Sequence, residues 1–296
     1  MSSALSWFIT IFSVANIIGC YVLIKWSSKP LPGEAAQGEV TGHTWDEDLQ
    51  ELNNPMPRWW LWSFYITIIF GLIYAALYPT LGNLGGVLGW STKQEYEQEI
   101  SDANKTYGPI FAAYSKQDVA SLAKNNKAMQ AGQRLFLNYC STCHGSDARG
   151  AIGFPNLRDS DWLYGGTPEA IKTSITNGRN GIMPPMGAAL GNGGADAVVA
   201  YVISLNRGGQ DAAMVEQGKA KFQSLCVGCH QADAKGNAAI GAPNLTDDVW
   251  LHGRSLGAIK QSITKGRTGV MPPHGDFLGA DKVHLLTAYV YSLSNK

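Results

Sequence analysis

The sequence predicts a mainly α protein, with two N-terminal transmembrane helices followed by two tandem copies of a small helical domain. Three observations carry this: two uncharged apolar stretches near the N-terminus, an internal repeat at an offset of 86 to 88 residues, and one C-x-x-C-H motif in each copy. The 296 residues carry 23 acidic side chains against 23 Lys and Arg, and 45% are hydrophobic. Such a balance excludes a disordered polyelectrolyte and argues against nucleic acid as the main partner. The 34 Gly and 13 Pro indicate loop-rich domains rather than long bundles.

The first span, within residues 1–26, runs uncharged from Leu5 to Ile24 as LSWFITIFSVANIIGCYVLI and meets its first charge at Lys25. At 1.5 Å per residue this is about enough helix for a ~30 Å hydrocarbon core. No Lys or Arg precedes it, and Lys25-Trp26 is no small-x-small cleavage pattern, so a retained span is expected rather than a signal peptide. Cys20 within it reads as a small hydrophobe. The second span, 59–78, is WWLWSFYITIIFGLIYAALY, with Arg58 before it, Pro79 after it and aromatic residues at both ends, where headgroups lie. Lys25, Lys29 and Arg58 flank the connection 27–58, which the positive-inside rule assigns to the cytoplasm; both termini then face outward. Neither span contains His, so the chain cannot hold a haem–copper centre by itself.

Residues 79–126 read as a helical linker, with Thr92 and Glu95 as a capping box ahead of QEYEQEISDANK. The repeats follow at 127–208 and 209–296. Gly132, Phe136, Cys140, Cys143 and His144 recur 86 residues later as Gly218, Phe222, Cys226, Cys229 and His230. At an offset of 88, Pro155-Asn156-Leu157 matches Pro243-Asn244-Leu245, Trp162 matches Trp250, Arg179 matches Arg267, and Met183-Pro184-Pro185 matches Met271-Pro272-Pro273. Each copy closes on an apolar set at helical spacing: Val198, Tyr201, Val202 and Leu205, then Leu286, Tyr289, Val290 and Leu293. A domain of about 85 residues builds little core unaided, so a cofactor is expected inside each.

C-x-x-C-H is the arrangement that attaches haem c: two thiols add to the vinyl groups and the adjacent His lies under the iron. Zinc ribbons pair their C-x-x-C units at roughly 15 to 20 residues, far from the 82 between Cys143 and Cys226. A disulfide within each pair is the other rival outside the cytoplasm. With six His in the chain, finding one by chance after both pairs would happen roughly once in 2,500 trials. Two covalently attached haems c are therefore expected, on Cys140, Cys143 and His144 and on Cys226, Cys229 and His230.

The second axial ligand should recur downstream of each His. Met183 and Met271 do, each in a Gly-x-Met-Pro-Pro loop; Met186 fails the repeat test because its counterpart is His274. The expected pairs are His144 with Met183 and His230 with Met271, although spacing leaves open whether a Met serves the iron of the other copy. His252 aligns with Tyr164 and His284 with Asp196, so both read as rim residues; His43 lies in the connection, and bis-histidine ligation of the second haem is the alternative. His/Met ligation saturates the iron and suits one-electron carriage rather than O₂ or peroxide binding. Trp162 and Trp250 are candidates to pack on the macrocycles. Arg179 and Arg267 are candidates either for the propionates or for helix ends. The copies hold seven basic and five acidic, and nine basic and seven acidic, side chains, so docking would depend on local patches.

These motifs, with Trp45-Asp46 and its acidic run, Asn54-Pro55-Met56-Pro57-Arg58-Trp59-Trp60 before the second span, and Tyr107-Gly108-Pro109 in the linker, closely resemble the membrane-anchored dihaem cytochrome c subunit of cbb3-type haem–copper oxidases (the CcoP/FixP family). The resemblance covers essentially the whole chain and implies two tandem cytochrome c domains. It implies an electron-entry subunit that catalyses nothing alone, in the bacterial inner membrane with its haem domains in the periplasm. Its implied partners are a soluble cytochrome c or bc complex as donor, and a monohaem cytochrome c subunit and the haem–copper catalytic subunit, where O₂ is reduced with proton pumping, as acceptors. Family members often have one span, so two is a departure that touches only the anchor. The alternative function is a free membrane-anchored dihaem carrier serving other acceptors; a third reading, a peroxidase, would need an open iron position.

Overall fold

The computed structural model describes residues 1–30 and 32–295 and resolves the chain into two compact units, Met1–Lys105 and Thr106–Lys296. In the first unit, α1 (Ser3–Ser27) starts at Ser2, whose hydroxyl accepts the Leu5 N–H at 3.4 Å. The connecting segment, read above as a plain loop, contains a hairpin of β1 (Val40–Trp45) and β2 (Leu49–Leu52), pairing Val40 with Leu52 and Trp45 with Leu49. Asp46 and Glu47 turn it with φ of 47° and 73°. Every residue of both strands is exposed, so no buried face imposed the apolar alternation that reveals a strand in sequence.

Pro57 occupies the N-cap of α2 (Arg58–Leu77). Both α1 and α2 are long and apolar enough to cross a membrane, and the chain covers almost none of their surface. By length and composition, a helix apolar on all sides suits a lipid solvent. They pair through Tyr21 and Tyr65, and the Ser6 hydroxyl accepts the Asn83 N–H at 2.7 Å, bringing the start of α1 to the end of α2. Helix α3 (Thr92–Ser115) is capped by Ser91, which accepts the Gln94 N–H at 3.2 Å, one residue earlier than the Thr92 box expected.

The second unit is α4 (Val119–Leu122), α5 (Asn126–Tyr139), α6 (Ser141–His144), α7 (Pro168–Asn177), β3 (Arg179–Met183), α8 (Gly187–Leu190) and α9 (Gly194–Ser204), followed by the second copy. That copy is α10 (Ala212–Leu225), α11 (Val227–His230), α12 (Leu256–Lys265), β4 (Arg267–Met271), α13 (Gly275–Leu278) and α14 (Ala280–Ser294). Asn125, Thr167, Asp211 and Ser255 cap α5, α7, α10 and α12 through their side chains.

The copies exchange their C-terminal parts. One core joins Phe136, Ile171 and Ile175 of the first copy to Leu278, Val283, Leu286 and Val290 of the second. Another joins Leu190, Val198, Val199, Val202 and Ile203 of the first copy to Phe222, Ile259 and Ile263 of the second. A smaller cluster seats Leu285 and Ala288 of α14 on Leu122 and Ala128. The closing helices, expected to pack on their own repeats, each complete the other.

The crossing is made by β3 and β4, which pair antiparallel about Gly181 and Gly269, with Arg179 opposite Met271 and Met183 opposite Arg267. The pairing carries the end of each strand into the opposite half. Gly178 and Gly266 open the strands at φ of 68° and 73°, and a Cβ on either would strike the Met271 or Met183 carbonyl. The Lys260–Asp196 ion pair at 2.6 Å and the Arg207–Asp248 pair at 3.2 Å also join one copy to the other.

Candidate haem sites

Each C-x-x-C-H occupies a sharp one-turn helix. Cys140 ends α5 and opens α6, and the His144 N–H reaches the Cys140 carbonyl at 3.0 Å; Cys226 and His230 repeat this on α11. Both thiols and the imidazole therefore project from a single turn. In each pair the first cysteine is half-buried and the second exposed, and none is in a disulfide. Cys140 packs on one core and Cys226 on the other, so no four-thiolate zinc site forms between them. Burial pushes the Cys140 thiol up to about 11, with Cys143 adding to it, and raises Cys226 in the same sense.

The chain after each His folds back beneath it. His144 Nδ1 donates to the Pro155 carbonyl at 3.1 Å, and His230 Nδ1 donates to the Pro243 carbonyl at 3.2 Å. This bond fixes the ring and leaves the lone pair on Nε2, the tautomer a metal-binding imidazole needs. Burial lowers the pKa of both rings, against the raising effect of the proline carbonyls, and keeps them neutral; His274 lowers His144 further. Close approach explains Gly150 and Gly236: a Cβ at either would strike the carbonyls of Phe154 and Pro155, or of Ala242 and Pro243. Ala148 and Ala234, buried at φ of 61° and 59°, accept strain at matched positions of the two loops.

His144 and Met183, and likewise His230 and Met271, were expected together, but each methionine packs on the core that holds the other copy's first cysteine. Met271 packs on the core that holds Cys140, Leu157 and Trp162, and Met183 on the core that holds Cys226, Leu245 and Trp250. The antiparallel ladder forces this, because each Met ends a strand that has crossed. Trp162 and Trp250, the candidates to pack on the macrocycles, lie partly buried against the two cores. Arg179 takes the helix role: Nε donates to Ser174 Oγ at 2.9 Å and Nη2 to the Ala170 carbonyl at 3.3 Å, while Arg267 does the same to Ser262 and Ala258.

Met186 lies with Met183 on the second core, and its counterpart His274 keeps a buried Nδ1 without a hydrogen-bond partner among the described residues. His284 bonds the Gln117 carbonyl at 2.8 Å, His43 pairs with Glu51 at 3.0 Å, and Cys20 is exposed on α1. Sequence reasoning passed over Tyr164, whose hydroxyl is also buried without a partner; the signal available was its mismatch with His252 between otherwise matched Trp-Leu and Gly positions.

Comparison with known proteins agrees with this geometry. Residues 127–202 and 213–290 match the family model described as cytochrome c oxidase, cbb3-type, subunit III, and residues 37–85 match the N-terminal domain of cytochrome oxidase-cbb3, FixP. The cbb3-type cytochrome c oxidase subunit CcoP of Rubrivivax gelatinosus is 44% identical over 99% of this chain and 96% of its own length. The chain belongs to the cbb3-type oxidase subunit III family. The FixP subunit of Rhizobium meliloti (strain 1021) is 40% identical over 88% of the chain and 96% of its own length, and the CcoP subunit of Cereibacter sphaeroides 35% over 90% and 98%. As a member of the CcoP/FixP family the chain is a cytochrome c electron-transfer subunit of a cbb3-type oxidase. Residues 37–85, matched to the FixP N-terminal model, include the exposed hairpin and all of α2.

Proposed function

We propose that this subunit is the electron-entry arm of its oxidase and carries two haems c with crossed axial ligands. Cys140, Cys143 and His144 would hold the first together with Met271, and Cys226, Cys229 and His230 the second together with Met183. The observation that carries the reading is that the first cysteine of each C-x-x-C-H shares a core with the opposite copy's methionine, twice, while the adjacent imidazole is anchored on a proline carbonyl. A haem supplies reversible one-electron exchange when bound there. The chain's own residues would set its terms: the His144 and His230 imidazoles and the Met271 and Met183 thioethers would hold the iron, the apolar cores would keep water away, and the prolines after each Met stiffen its approach. With no axial position left for O₂, catalysis would belong to another subunit.

The helices α1 and α2 would anchor the subunit in the inner membrane, with Lys25, Lys29 and Arg58 on the cytoplasmic side and the haem unit in the periplasm, where thiols meet haem under oxidising conditions. Electrons would enter from a soluble cytochrome c or a bc complex and leave toward the monohaem cytochrome c subunit and the haem–copper subunit.

A chain with Cys140→Ser and Cys143→Ser retains one attachment site and tests the crossing. In that background Met183→Ala is expected to lower the potential of the remaining haem, and Met271→Ala to leave it in place. The opposite result would restore pairing within each repeat, and a mature unsubstituted chain whose mass lacks two haems would end the reading altogether.

A further inference from the structure

The uncharged stretch that contains α2 is longer than a membrane crossing needs. No Lys, Arg, Asp or Glu occurs from residue 59 to residue 92, yet α2 ends at Leu77, and its 20 residues already cover about 30 Å at about 1.5 Å each. The residues beyond it do not lead straight away. The Val87 N–H donates to the Ala76 carbonyl at 2.9 Å and the Leu88 N–H to the Leu77 carbonyl at 3.1 Å, so the loop 81–90 folds back beside the last turn of α2. Gly86 permits this approach at φ of 66°, since a Cβ there would strike the Leu77 carbonyl. The same loop reaches α1: the Ser6 hydroxyl accepts the Asn83 N–H at 2.7 Å, and the Met1 carbonyl accepts from Asn83 Nδ2 at 3.4 Å.

Two features of this loop are foreign to a segment standing in water. The last carbonyls of a helix have no intrahelical donors, and in water the solvent supplies them. Here backbone N–H groups serve Ala76 and Leu77 instead, as a helix end requires where water is scarce. The second feature is the side chains. Leu84, Val87 and Leu88 are all exposed, Val87 over 82% of its surface, and the hydrogen bonds hold Val87 and Leu88 level with the final turn of an apolar helix. Tyr78 and Trp90 meet edge to face at either side of the loop, with ring centroids 5.7 Å apart, and such amphipathic rings collect where acyl chains give way to headgroups. Between residues 81 and 90 the one side-chain amide, Asn83, is tied to α1, which leaves a surface that matches lipid and offers a protein partner no charge to pair.

Building on the membrane anchoring proposed above, we propose that residues 81–90 form a shallow lipid-inserted cap over the start of α1 and the end of α2, with Leu84, Val87 and Leu88 entering the acyl boundary of the adjacent leaflet. The cap sets how deeply the helix pair sits. Sliding outward draws three apolar side chains into water, and sliding inward brings Lys93 toward the acyl chains.

The test places a nitroxide on Val87→Cys in a Cys20→Ser chain, assembled into its oxidase and reconstituted in phosphatidylethanolamine–phosphatidylglycerol vesicles, with the Cys20→Ser oxidase as the blank. Relaxation of the label by O₂, which concentrates among acyl chains, is compared with relaxation by a water-soluble nickel chelate. Leu72→Cys in α2 and Gln98→Cys in α3 supply the membrane and water references. The expected result at Val87→Cys is loss of chelate access relative to Gln98→Cys with access to O₂ retained. Chelate access equal to that at Gln98→Cys overturns the proposal. Shielding from both agents overturns it too, and gives the loop to a neighbouring subunit. Leu88→Cys, read by the same criteria, decides if the Val87→Cys chain does not assemble. A Leu72→Cys label open to the chelate removes the anchoring reading beneath the proposal, a failure distinct from a wet loop on a lipid-embedded helix.

Discussion

Asp159, Asp161 and Asp247 bring three carboxylates together across the copies. Burial raises the Asp161 pKa, and the charges of Asp247 and then Asp159 add to it; Asp159 is raised by burial too, and to a lesser degree by Asp247. A carboxyl whose folded pKa lies above its unfolded value contributes stability below the unfolded pKa and loses it as pH rises through the folded one. Asp161→Asn removes that loss. It is expected to stabilise the second unit at pH 7 by a few tenths to about 1 kcal/mol, discounted for solvent screening, with the gain vanishing below the unfolded aspartate pKa of about 3.9. Thermal melts at pH 7 and pH 3.5 check both the gain and its disappearance. At this scale the sequence is most legible: C-x-x-C-H places three reactive groups by local geometry alone, and structure adds only the proline carbonyls behind the imidazoles. The carboxylate cluster was hidden because Asp159 and Asp247 are 88 residues apart and meet only when the copies cross.

Helices meet closely at two glycines. Gly218 of α10 lies against α9, where a Cβ would overlap the Ala197 carbonyl and come 2.8 Å from Tyr201 Cβ; Gly132 of α5 lies against α14, where a Cβ would come 2.8 Å from Tyr289 Cβ. Phe222 and Phe136 complete the contacts on Tyr201 and Tyr289 at ring separations of 5.2 and 5.5 Å. Gly218→Ala meets rigid backbone and is expected to destabilise by about 1–3 kcal/mol despite the better helix propensity of Ala. Gly132→Ala should cost less, because its nearest obstacle is a side chain; urea midpoints of the two variants order them. The recurrence of Gly and Phe four residues apart marked the repeat, but neither the close crossing nor the helix it meets. Both closing helices present the same apolar set at the same spacing, so pattern alone fits either host. The hairpin β1–β2 escaped for the reverse reason, since exposed strands leave no periodic mark.

For the molecule as a whole, the exchange makes each core depend on a closing helix supplied by the other repeat. The first core lacks a lid without α14, which buries Val283, Leu286 and Val290 there and Leu285 and Ala288 on the neighbouring cluster. Losing that many buried aliphatic side chains, at about 2–5 kcal/mol for each large one, exceeds the about 5–15 kcal/mol by which a typical domain is stable. A chain ending at Gly279 should therefore lose the fold around Cys140, Cys143 and His144, although its first repeat is untouched. The core around Cys226, closed by α9 of the first repeat, should survive. Limited proteolysis read by mass spectrometry separates the two halves: cleavage is expected within α5–α7, while α9, α10 and α12 stay protected. If the damage falls on α10–α12 and the first repeat stays intact, each closing helix belongs to its own copy, and the crossed methionines lose their structural basis with it.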